Sequence, residues 1–166
     1  MKPLDPPDSF HVLAASGWLE LGNSGEAKME LEKVAPEWQT HPVVLQTKWL
    51  LYANDKRWNE ALAAAMELVR IEPNEPLGWV HQSYALHELK RTAEARDELV
   101  RVIEKFPKNS TMRYNLACYE CQLGNPDKAR AWLDKAYRLG ERDEIRAMAL
   151  KDADLKSLWD EIKKRR

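Results

Sequence analysis

RWNEALAAAMELVRIEP (residues 57–73) and RTAEARDELVRVIEKFP (residues 91–107) carry one pattern at two places 34 residues apart. Glu60-Ala61 aligns with Glu94-Ala95, Ala65 and Leu68 align with Leu99 and Val102, and Pro73 aligns with Pro107. One period outward on either side stand Glu26-Ala27 and Lys128-Ala129, followed at the same intervals by Leu31 and Val34, and by Leu133 and Ala136. Apolar residues four and seven positions after a small one lie along a single helical face. Gly22-Asn23 and Gly124-Asn125 mark turns before two of these helices, because glycine and asparagine tolerate left-handed backbone. Pro126 suits a helix start, while Pro73 and Pro107 end the second helices, since proline disfavours helical geometry in the residue before it. Each period therefore predicts a helical hairpin, and the chain an all-α architecture of about four of them.

Composition is compatible with a packed domain. The 166 residues are 44% hydrophobic and 32% charged, with 26 Lys+Arg against 27 Asp+Glu and a formal net charge of -1. There is no overall positive field to gather phosphates, so nucleic acid is not the expected partner. The basic end Lys163, Lys164, Arg165, Arg166 reads as a solvated helix terminus that complements the helix dipole. Phe10 to Leu19 is apolar, but Asp5, Asp8 and three prolines precede it and Glu20 ends it, unlike a secretory leader. No run reaches membrane-spanning length. Two cysteines, Cys118 and Cys121, are too few and too close for a disulfide framework, so a reducing cytoplasm is the expected compartment.

The period and the identities at its key positions resemble the tetratricopeptide repeat family. Trp79, Ala95, Leu99, Val102 and Pro107 follow that family's order, as do Leu45, Tyr52, Ala61, Leu68 and Pro73. The last repeat keeps Leu116, Ala117, Ala129, Leu133 and Ala136, and the first Ala15, Trp18, Ala27, Leu31 and Val34. The resemblance spans residues 8–141, with approximate repeats at 8–41, 42–75, 76–109 and 110–143, and implies a right-handed α-solenoid. Two departures stand out. The small position filled by Ala15, Ser83 and Ala117 holds Trp49 in the second repeat, where the large position shrinks to Ala65. Constant interior volume then predicts a buried Trp49 ring filling the space above Ala65. The first repeat has Gln39 where the closing proline belongs and uses Pro36 instead, which predicts an earlier end to its second helix.

Residues 142–166 fall outside the repeat. Leu155, Leu158, Trp159 and Ile162 recur at helical spacing, with Asp152 or Asp154 placed to cap a helix N-terminus. A solenoid must cover the apolar face of its last repeat, so capping helices are expected here.

In this family the first helix of each repeat lines a concave groove. The register assigns Val12, Ser16 and Leu19 to that wall from the first repeat, and Gln46, Leu50 and Asn54 from the second. Val80, His81, Tyr84 and His87 follow from the third, and Tyr114, Asn115, Cys118, Cys121 and Gln122 from the fourth. A wall of rings and amides suits an extended or helical segment of a peptide or protein partner. Some family members clamp a chaperone's carboxyl terminus with Lys, Asn and Arg. Val12, Ser16, Thr47, Leu77 and His81 stand at those places here, so the cations that would neutralise a carboxylate are missing.

Cys118 and Cys121 share a helical face, and the register sets His87 about one helix diameter away, a set chemically suited to zinc or copper(I). A fourth ligand is lacking, and mid-helix thiols are not stabilised as thiolates. The expectation is therefore two small buried thiols, no metal and no cofactor. Neither a nucleophile elbow, a phosphate loop nor a His-Glu-x-x-His motif occurs, so no enzyme is expected. The sequence thus predicts a cytoplasmic interaction scaffold. Its main alternative is a self-associating homodimer that places some of the seven tryptophans at an interface, and a metal- or redox-responsive adaptor is a third reading.

Overall fold

The computed structural model describes residues 3–164. Arg165 and Arg166 of the basic end lie outside the described residues. The helices are α1 (Asp8–Glu20), α2 (Ser24–Lys33), α3 (Pro42–Asn54), α4 (Trp58–Ile71), α5 (Pro76–Glu88), α6 (Thr92–Val102), α7 (Ser110–Gln122), α8 (Pro126–Leu139), α9 (Arg142–Ala149) and α10 (Trp159–Lys164). Short 3-10 turns follow α2, α6 and α9, and no strand occurs among the described residues. The fold is an all-α helical repeat.

The chain divides into two compact units, residues 1–85 and 86–166. In the first, α1 packs on α2, α3 packs on α4, and α3 also rests on both α1 and α2. In the second, α7 packs on α6 and α8, α9 joins α8 to α10, and the 3-10 turn Ala153–Leu158 lies against α7.

The repeat alanines explain this packing. Ala27, Ala61, Ala95 and Ala129 are each 0% exposed, as are Ala65, Leu99 and Ala136 on the same stripes. A side chain with no atoms beyond Cβ lets the two helices of a hairpin approach closely, and larger groups one turn on fill the remaining space. Between the helices of each hairpin the backbone closes in one way. Gly22, Lys56, Lys90 and Gly124 all have positive φ, between 56 and 76°. Their amides donate to Leu19, Ala53, His87 and Cys121, and the amides of the next residues to Trp18, Tyr52, Leu86 and Glu120. These paired bonds form a Schellman motif, which satisfies carbonyls that the helix end would orphan.

α2 ends at Lys33, as the missing proline implied. Gln39 does part of the proline's work by other means: its Nε2 donates to the carbonyls of Leu31 at 3.2 Å and Val34 at 2.6 Å. Trp49 is buried as expected. Its ring stacks on His81 at 3.7 Å between centroids, an aromatic contact that residue volumes alone do not reveal. Beyond α8, the chain packs closely at Gly140, where a Cβ would sit 2.8 Å from Ile145 Cδ1 and 3.2 Å from Ser110 Cβ. Ile145, Ala149, Leu155, Leu158 and Ile162 are then buried in the second unit. Asp152 is the N-cap of the 3-10 turn, accepting from the Asp154 amide at 2.9 Å.

Candidate functional site

In the first unit, the middle of α3 and the middle of α5 carry the wall residues. Leu50 and Tyr84 occupy the same position of the 34-residue register, and each is 39% exposed. Tyr84 has a rigid base: the Trp49 ring meets it edge-on at 6.1 Å, and Trp58 of α4 lies at 5.7 Å. Asn54 is exposed, and Gln46 and Val80 are half-buried. Gln46 lines a cleft with Val43, Leu68, Leu77 and Gly78.

His81, assigned to the same wall, lies beneath it rather than on it. It is 9% exposed, and neither its Nε2 nor the Trp49 Nε1 beside it has a hydrogen-bond partner among the described residues. Burial holds the imidazole down to about 4, so it is neutral at pH 7. Val12 and Leu19 are likewise core: they join Ala15, Ala27, Leu31 and Val44 in one apolar cluster, and only Ser16 of that trio is partly open. Trp58, which props Tyr84, opens a second helix, so a register that assigns the wall to first helices alone does not include it.

The second unit is arranged differently. Cys118 shares the register position of Leu50 and Tyr84 but is 4% exposed, and Tyr114 and His87 are 6% and 7% exposed. These residues are covered rather than open, because the chain's own residues 152–157 lie on them. The Tyr114 hydroxyl donates to Asp152 Oδ2 at 2.7 Å, and the Cys118 thiol reaches the same oxygen at 3.4 Å. His87 Nε2 pairs with Asp154 Oδ2 at 2.9 Å, and its Nδ1 with the Thr92 hydroxyl at 2.9 Å. Gln122 Nε2 donates to the Asp154 carbonyl at 2.9 Å, and Cys121 Sγ lies 3.0 Å from Ser157 Oγ. Asn115 is half-buried.

Burial foremost, then the Asp152 carboxylate, pushes the Cys118 thiol well up. Burial, with Cys118 and Asp152 adding to it, likewise raises the Tyr114 phenol. Both stay protonated, as donors to a carboxylate must. Cys118, Cys121 and His87 are thus each engaged with the C-terminal segment, and no cluster of three metal-ligating side chains occurs among the described residues. In the sequence, the signal for this arrangement is that a buried tyrosine needs an acceptor and Asp152-x-Asp154 supplies two.

No model of a known protein family matches the chain, and no curated protein matches it either. Solved structures do. A thermophilic TPR protein of Thermus thermophilus superposes with a TM-score of 0.74 at 20% identity, over 93% of this chain and 98% of that one. MamA residues 41 to the end, from Desulfovibrio magneticus RS-1, gives 0.71 at 17% identity, over 98% and 94%. Cut9 in the APC/C Cut9–Hcn1 hetero-tetramer gives 0.69 at 15% identity, over 92% of this chain and 29% of that one. The fold is therefore of the tetratricopeptide type.

Proposed function

We propose that this chain is a protein–protein interaction scaffold that holds a peptide or protein segment against the first-helix wall of its first unit, at Gln46, Leu50, Asn54, Val80 and Tyr84. One observation carries the reading. Leu50 and Tyr84 are large apolar side chains exposed at equivalent positions, and Tyr84 is braced by two indoles. A braced ring loses little side-chain entropy when a partner covers it, so most of the burial appears as affinity. Gln46 and Asn54 flank these anchors with amide groups that can pair with a segment's backbone. Fold similarity to an assembly subunit such as Cut9 is consistent with such a role but names no partner.

Replacing an interface anchor by alanine typically costs about 2 kcal/mol, roughly a thirtyfold loss. Leu50→Ala with Tyr84→Ala should therefore strip the bound partner from protein recovered out of its source cell, while helicity shows that the variant stays folded. Undiminished recovery by the folded double variant would overturn the assignment.

A second reading rests on α1. Phe10, Leu13 and Leu21 are 62%, 72% and 77% exposed, and with Ala14 and Gly17 they form one stripe at helical spacing. Small residues within that stripe let another helix approach, which favours association with a second copy of the chain. Sedimentation separates the readings: a dimer dissociated by Leu13→Lys supports self-association through α1, and a monomer at all concentrations excludes it.

A further inference from the structure

The face of α7 in the second unit is covered by the chain's own residues 152–157. An apolar cap needs only apolar contacts, and Leu155, Leu158 and Ile162, all at most 3% exposed, supply them. The polar set goes beyond that need. Tyr114 and Cys118 aim two donors at one oxygen of Asp152, His87 meets the carboxylate two residues on, and Gln122 reads the backbone carbonyl of that same residue. Buried donors left without acceptors are costly, so Tyr114 and His87 demand acidic or carbonyl groups at those places. The occupant itself is a six-residue 3-10 turn, a conformation with poor internal hydrogen-bond geometry. Its position is set by the side chains that receive it rather than by its own secondary structure.

We infer that this face of α7, with His87, is a receptor for a short segment of the form Asp-x-Asp-Leu. The chain's own Asp152–Leu155 is its tethered occupant, and a partner segment of the same chemistry exchanges with it. The inference shares with the proposed function only the premise that first-helix faces take up segments. Tethering gives the resident an effective concentration on the order of millimolar, so a competing segment binds weakly until the resident is weakened.

The test uses the full chain and a fluorescent peptide of residues 150–164. Asp152→Ala with Asp154→Ala weakens the resident and leaves the receptor intact, so the peptide should bind this variant at least about tenfold more tightly than wild type. Adding His87→Gln and Tyr114→Phe should remove that gain, and a peptide with both aspartates changed to asparagine should bind poorly. Leu50→Ala with Tyr84→Ala should leave peptide affinity unchanged, which separates this inference from the function proposed for the first unit. Equal peptide affinity for wild type and the aspartate variant overturns it. Should the aspartate variant fail to fold, hydrogen exchange on wild type decides. Amides of residues 153–158 opening well before those of α7 support exchange, whereas opening only with global unfolding makes the segment permanent core and overturns the inference.

Discussion

At the scale of single residues, His81 sets the expected response to acid. Its pKa is lowered by burial from 6.5 to about 4, so between those values the unfolded chain binds a proton that the folded chain refuses. Stability is then full above pH 6.5, falls as pH drops toward 4, and loses about 3 kcal/mol across that window. His81→Phe keeps an aromatic ring on Trp49 and removes the titration. Denaturant unfolding at several pH values should show a slope in wild type that is reduced in the variant; identical slopes would mean the imidazole is accessible. The turn residues give a second prediction. Lys56 and Lys90 bear positive φ that glycine adopts without strain, so Lys56→Gly should stabilise by about 1 kcal/mol and Gly124→Ala should destabilise by a similar amount. Unfolding midpoints check both. Gly22 and Gly124 were legible as turns from residue type. Lys56 and Lys90 were not, because the hairpin imposes the conformation on residues whose own preference opposes it.

At the scale of elements, the second helices followed from the repeat, and even the early end of α2 was readable from Gln39 and Pro36. The C-terminal segment was legible only in part. Its apolar spacing announced a cap, but its seat on α7 depends on pairings 38 and 67 residues apart in sequence, which periodicity cannot encode. Hence Tyr114, Cys118 and His87 read as open wall when they are covered. Leu155 is 0% exposed, so Leu155→Ala should cost about 2–5 kcal/mol. Ending the chain after Gly140 should lower the melting temperature further and increase binding of a hydrophobic dye, because the faces of α7 and α8 lose their cover. An unchanged melting curve for the truncated chain would show that residues 141–166 contribute nothing to the fold.

For the whole molecule, a period of 34 residues and a buried alanine in every period made the helical repeat readable without any structure. What the chain binds was not readable, since the residues that carry the period are those that pack hairpins. The proposed function rests on the few positions between them, where Leu50 and Tyr84 stay exposed while Cys118, their equivalent, is covered. Site-specific photocrosslinking in the source cell tests whether a partner sits on Leu50 and Tyr84. A photoreactive residue would be placed at Leu50, on the wall, and in a separate protein at Met66, on the exposed side of α4. Discrete adducts with a different protein are expected from position 50, lost when Tyr84→Ala is added, and none from position 66. Adducts at position 66 alone, or at position 50 only with a second copy of this chain, would overturn the assignment of a partner to this wall.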